Sequence, residues 1–238
     1  MVPRLVVFDL DGTLIDSRID LTNSVNAMLV HLGKHELPDA VIAGYIGDGA
    51  SMLVRRALGD PEGDVQDAEH VNQALQFFLD YYRVHKLDFT YVYDGVFEAL
   101  DEIGSDFPGL AMAVLTNKPV RPSRDICEHF GLERYFFQNY GGNSFHTKKP
   151  DPTGLLALMK EASALSANAA AILPCDTVMV GDSDVDILTA RNCGARSIGC
   201  AYGLAPERLA AAGPDVVSKT PREWIGTLRL LAGTATVR

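Results

Sequence analysis

The sequence predicts an α/β fold built on a doubly wound parallel sheet, with a small α-helical domain inserted near its start. Three observations carry this. Leu5-Val6-Val7-Phe8 is a continuous apolar run, the pattern of a parallel strand buried on both faces. Leu110–Leu115 (LAMAVL) and Thr177–Val180 (TVMV) repeat that pattern, with helical periodicity between them. Residues 16–90 interrupt the alternation and read as helices alone.

Taken in order, Leu21, Val25, Met28, Leu29 and Leu32 share one helical face, which stops at Gly33. A second helix begins near Pro38-Asp39, a third spans about Ala50–Leu58, and a long fourth runs about Val65–His85. No strand is expected within 16–90. Beyond it, Pro119–Phe130 reads as a helix ending at Gly131. Thr153–Leu165 is a second, apolar at 155, 156, 158, 159, 162 and 165. Asp184–Cys193 is a third, with Gly194 in the place of a C′ glycine. Ser197–Cys200 and Asp215–Val217 are weaker strands, and Trp224 belongs to the packing face of a C-terminal helix. Alternation of this kind implies right-handed βαβ units and a Rossmann-like core. The expected division is a core of residues 1–15 and 91–238, with a cap of residues 16–90.

The charge balance narrows the partners. Lys and Arg number 21 against 31 Asp and Glu, a formal net charge of −10. That excludes a surface for nucleic acid, which needs clustered cations, but not a local site for a small anion. The four cysteines form no C-x-x-C pair and are expected as free thiols. No stretch approaches the ~20 apolar residues of a membrane span. Asp9 and Asp11 follow Leu5–Phe8 too soon for a signal segment. A cytoplasmic monomer or homodimer is the expectation.

Each strong strand ends in a polar cluster: Asp9-Leu10-Asp11-Gly12-Thr13, Thr116-Asn117-Lys118, and Gly181-Asp182-Ser183-Asp184-Val185-Asp186. Lys148-Lys149-Pro150 precedes the Thr153 helix. Open α/β sheets bind ligands outside the carboxyl ends of their strands, so these clusters are expected to converge. Asp9 and Asp182 offer hard oxygens that suit Mg²⁺. Phosphate monoesters resist hydrolysis strongly enough to need accelerations up to about 10²¹-fold. A carboxylate nucleophile, a second acid/base carboxylate and a metal meet that need together. Asp11 is placed to exchange a proton with the leaving oxygen, and Thr116 and Lys149 to hold phosphoryl oxygens.

Blander readings stand beside these. The Asp9/Asp11 pair would serve as a capping turn, Thr116 as an ordinary strand-end hydroxyl, and Lys148 as a solvated charge. Asp184 reads as the cap of the following helix. Asn117 and Ser183 would line the site through backbone or side chain. Arg56 would either reach a substrate carboxylate or stay solvated. His31 and His35 have ligand-like spacing, but Gly33 between them separates their faces.

The string DLDGT, a strand-ending Thr, a downstream Lys-Pro and GDSxxD, in this order, resemble the haloacid dehalogenase-like hydrolase superfamily. The resemblance covers essentially the whole chain and puts the helical insert where that family has its first cap domain. It implies Asp9 as nucleophile and metal ligand, and Asp11 as acid/base, lending its backbone carbonyl to the metal. It implies Thr116 and Lys149 as phosphate ligands, Asp182 as the residue completing the Mg²⁺ site, and Asp186 as a direct ligand or the orienter of metal-bound water. An acid/base Asp at position 11 is similar to the family's phosphatases and phosphomutases, not its dehalogenases. Three stretches resemble the phosphoglycolate phosphatases within it: Tyr45–Ala50 (YIGDGA) with Arg56-Ala57-Leu58, Tyr140–Pro152, and Ala201-Tyr202-Gly203. The first would be a cap loop over the substrate, with Gly47 and Gly49 allowing close backbone approach and Asp48 and Arg56 beside it. Asp94 and Asn143 depart from the residues common there, Pro and Asp. The implied activity is hydrolysis of a small phosphorylated metabolite through an aspartyl-phosphate, with 2-phosphoglycolate first. Another small-molecule phosphatase, a pyrophosphatase and a β-phosphoglucomutase-like phosphomutase share the same core motifs.

Overall fold

The computed structural model describes residues 2–60, 68–165 and 170–233. Among them the chain runs β1 (Leu5–Phe8), β2 (Ile15–Asp16), then helices α1 (Arg18–His31), α2 (Asp39–Ala43), α3 (Ala50–Ala57) and α4 (Ala68–His85). It continues through β3 (Tyr91–Val92), α5 (Val96–Asp106), β4 (Ala111–Leu115), α6 (Val120–Phe130), β5 (Gln138–Tyr140) and α7 (Thr153–Leu165). It closes with β6 (Thr177–Gly181), α8 (Asp184–Cys193), β7 (Arg196–Cys200), α9 (Pro206–Ala212), β8 (Val216–Ser218) and α10 (Trp224–Gly233). The expected start of the fourth helix at Val65 lies outside the described residues.

Six strands form one parallel sheet in the order β5-β4-β1-β6-β7-β8. β1 is central, with Leu5 opposite Ala111 on one side and Thr177 on the other. Its four residues are fully buried because successive side chains enter opposite layers. Val6 and Phe8 pack with α5, α6 and α10, where the Phe8 and Trp224 ring centroids lie 5.1 Å apart. Leu5 and Val7 pack with Leu155, Leu158 and Met159 of α7 and Ala190 of α8. Helices therefore cover both faces, the doubly wound arrangement. The stops after α6 and α8 fall on Gly131 and Gly194, both in the left-handed conformation that glycine adopts without strain.

Helices α1 to α4 pack around an apolar cluster of their own that includes Leu21, Val25, Met28, Leu29, Leu53, Val54, Phe78 and Tyr82. Two sets of contacts fasten the chain where it enters and leaves this layer. Asp16 of β2 pairs with Tyr91 of β3 in a two-stranded antiparallel ladder. The two strands sit at the borders of the insert, with only Asp16 inside 16–90, and two residues are too few to show a period in sequence. The buried Asp20 carboxylate accepts hydrogen bonds from the N–H groups of Phe89 and Thr90 and from the Thr90 hydroxyl.

Candidate active site

Each expected polar cluster lies at the carboxyl end of its strand. The Asp9 N–H donates to Val180 O at 2.9 Å, and the Thr116 N–H to Tyr140 O at 2.9 Å, so the ladder runs on just past the ends of β1 and β4. Asp182 follows β6 directly, and Asp186 lies one turn into α8. Oxygens of Asp9, Asp182 and Asp186, all buried, fall within 4.8 Å of one another. Lys149 stands against two of them, 2.8 Å from Asp9 Oδ1 and 2.6 Å from Asp186 Oδ1. The Asp9 contact is an ion pair without hydrogen-bond geometry, and Asp9 Oδ1 has no hydrogen-bond partner.

Glycine backbone shapes this cluster. A Cβ on Gly12 would lie 2.1 Å from Asp182 Oδ2, and one on Gly203 would lie 2.2 Å from Asp182 Cβ. A Cβ on Gly181 would lie 2.2 Å from Asp186 Cγ. No such contact is tolerable, so three glycines let the backbone press on the two carboxylates and limit their rotamers. The Leu204 N–H donates to Asp182 Oδ2 at 2.6 Å. Asp186 Oδ2 accepts from the Ser183 N–H at 3.1 Å and from its hydroxyl at 2.8 Å. Ser183, not Asp184, is the N-cap residue of α8; Asp184 instead pairs with Arg208 at 2.8 Å.

Burial pushes the Asp9 carboxyl up to about 6, with Lys149 opposing and Asp186 and Asp11 adding to the rise. Burial likewise holds Asp182 well above the usual carboxylate range, reinforced by Asp186 and Asp9. Burial disfavours the Lys149 ammonium, but Asp186 and Asp9 outweigh it and raise the group above the usual lysine value. The cluster is thus short of positive charge. Three converging hard carboxylates that share a single ammonium, and that deficit, fit a divalent cation with oxygen preference.

Asp11 lies across the opening. Its carboxylate accepts from Lys118 Nζ at 2.8 and 2.9 Å and from the Ser17 hydroxyl. A narrow cavity with a free volume of about 40 Å³ lies between the helical insert and the sheet. Asp9, Asp11, Thr116, Asn117 and Lys118 line it from the core, and Leu21, Ile46, Gly47, Gly49, Leu53, Phe78 and Tyr82 from the insert.

The loop of Ile46 to Gly49 is clasped to the core at several points. The Asn117 side-chain amide donates to Gly47 O and to Lys149 O, each at 3.1 Å. Lys148 Nζ donates to Asp48 O at 2.6 Å, so this lysine is a tether and not merely a solvated charge. Arg208 of α9 pairs with Asp48 at 3.2 Å and donates to Ile46 O at 3.3 Å. Arg56 pairs with Asp48 at 2.6 Å and donates to Tyr45 O at 3.0 Å.

These contacts engage three of the expected site residues. Asn117 donates both side-chain N–H groups to the backbone, which leaves neither for a phosphate. Asp48 and Arg56 hold the loop by pairing with each other, and neither lines the cavity. Sequence reasoning assigned no individual role to Lys118, Tyr82, Gly203 or Arg208. Lys118 carried a signal as the third member of a strand-end cluster. Tyr82 carried none, because an aromatic on a helix's apolar face reads as packing.

The model of the haloacid dehalogenase-like hydrolase family matches residues 6–200. The chain belongs to that family. This hydrolase is 39% identical over 227 residues to phosphoglycolate phosphatase 1 of Pseudomonas aeruginosa, a match covering 94% of this chain and 79% of that protein. It is 33% identical over 232 residues to the phosphoglycolate phosphatase of Vibrio parahaemolyticus, covering 96% and 97% of the two chains. Among solved structures it is similar to one described as a predicted phosphoglycolate phosphatase from Haemophilus somnus. There the TM-score is 0.84 at 27% identity, covering 94% of this chain and 97% of that one. Among the described residues no helix is long and apolar enough to cross a membrane.

Proposed function

We propose that this hydrolase is a Mg²⁺-dependent phosphatase of small phosphomonoesters, with 2-phosphoglycolate as its leading substrate. The observation that carries the reading is Asp9 at the mouth of the cavity, its buried Oδ1 without a hydrogen-bond partner and beside the Lys149 ammonium. The curated relatives named for phosphoglycolate support the substrate choice. Residues 16–90 are read as the cap that shields the reaction from bulk water.

In this reading the Asp9 carboxylate attacks phosphorus and becomes an aspartyl-phosphate while the ester oxygen leaves. Asp11 gives that oxygen its proton, then takes one from the water that attacks the aspartyl-phosphate. Inorganic phosphate departs and Asp9 is restored. Thr116 and Lys149 hold the phosphoryl oxygens through the transition state. Asp9, Asp182 and the Asp11 backbone carbonyl would hold Mg²⁺, with Asp186 as a ligand or the orienter of a bound water; when bound, the ion neutralises charge on the phosphoryl group.

Phosphate release from 2-phosphoglycolate is the test, with and without a chelator and with Asp9→Asn as control. Release that depends on Mg²⁺ and on Asp9 is expected. Equal release from unrelated sugar and nucleotide phosphates would remove the substrate assignment.

A further inference from the structure

The cavity holds polar groups that the phosphoryl chemistry does not use. On the insert side Tyr82 of α4 lines the wall, only 3% exposed, and its hydroxyl oxygen has the Lys118 ammonium as its polar neighbour. On the core side Lys118, also buried, hydrogen-bonds both oxygens of Asp11 and stands 4.7 Å from the centroid of the Tyr82 ring. An ammonium has three N–H donors; Asp11 takes up to two and the Tyr82 oxygen lies beside the third. The walls around the pair are apolar, with Leu21, Leu53, Phe78 and Pro122. A buried phenol normally finds a partner for its hydroxyl. Here the Tyr82 oxygen faces Lys118, and its O–H is left to donate into the same small space.

We propose that Lys118 and Tyr82 form a second anion subsite, which takes a carboxylate that the substrate carries close to its phosphoryl group. The inference rests on the phosphatase reading above and names the class of ester that site selects. Burial keeps the phenol a donor, pushing its pKa up to about 12. Low local polarity strengthens each hydrogen bond made to a carboxylate there.

The experiment compares kcat/KM for 2-phosphoglycolate with that for 2-hydroxyethyl phosphate, which has the same length but no carboxylate. Tyr82→Phe removes one oxygen and keeps the ring. It is expected to lower the ratio of the two by about 10- to 100-fold, mainly through KM for the acid. Lys118→Met is expected to do the same, although it also strips Asp11 of a partner. An unchanged ratio in Tyr82→Phe, or equal losses on both esters, overturns the proposal. A binding readout separates it from the phosphatase reading. Glycolate should raise the Tm of the Mg²⁺-loaded wild type, and that rise should be lost in Tyr82→Phe. A Tyr82-dependent rise without phosphate release from any ester leaves the subsite standing and sinks the phosphatase. Phosphate release with a glycolate rise that survives in Tyr82→Phe does the reverse.

Discussion

Asp9 is held between opposing demands: burial favours its neutral form, and the Lys149 ammonium favours the carboxylate a nucleophile needs. Its neighbour Asp11 sits in a different setting, held by Lys118 and Ser17, and so is suited to a different task. Asp11→Asn is expected to lower kcat by about 10²- to 10⁴-fold, the usual contribution of a positioned acid/base. Slowing of phosphate release in steady state checks this. Gly203 acts without a side chain. Gly203→Ala would drive a methyl into Asp182, whose Cβ is 2.2 Å from the ideal position. The Mg²⁺ concentration giving half-maximal activity should rise by about 10- to 100-fold, as when the support of a metal ligand is lost. A titration of activity with Mg²⁺ reads it, and an unchanged midpoint would refute the glycine cradle.

At the scale of elements, the loop between α2 and α3 is fastened to the core chiefly through Asp48, which bridges Arg56 of the insert and Arg208 of α9. Arg208→Ala should free one side of that clasp. KM is expected to rise by about 3- to 10-fold and to lose part of its dependence on ionic strength, since partly exposed ion pairs are screened by salt. Steady-state kinetics at low and high salt, repeated in the Asp48→Asn variant, measure the coupling. How far these elements are legible in sequence follows from their surroundings. β1, β4 and β6 read as apolar runs because both faces of each are covered. β5 reads Gln-Asn-Tyr, half-buried at the sheet edge, and no run marks it. α5 carries Val96, Ala99, Leu100 and Ile103 at helical spacing, a pattern that a reading led by strands passes over. The clustered carboxylates were legible because each follows a strand end. The clasp was not, because Asp48 and Arg208 are 160 residues apart and only the fold brings them together.

For the whole molecule, the acidic cluster links metal binding, pH and stability. Asp9 titrates near 6 against an ordinary value of 3.8. A raised carboxyl favours the folded chain while protonated, so its contribution is full below about pH 3.8 and is lost as pH rises to about 6. Mg²⁺ should reverse that loss by compensating the ionised carboxylates. The rise in Tm on adding Mg²⁺ is therefore expected to be larger at about pH 7.5 than at about pH 5. Thermal melts at both values check it, and equal rises would separate the ion from this cluster. The central claim is that the sheet, the insert and the loops between them converge to make Asp9 a nucleophile. It is tested most directly by quenching the enzyme during turnover of ³²P-labelled substrate and mapping the label. The account predicts acid-stable, alkali-labile phosphate on the peptide containing Asp9, absent in Asp9→Asn, whose kcat falls by at least about 10³-fold. Label on another residue, or near wild-type turnover in Asp9→Asn, would contradict it.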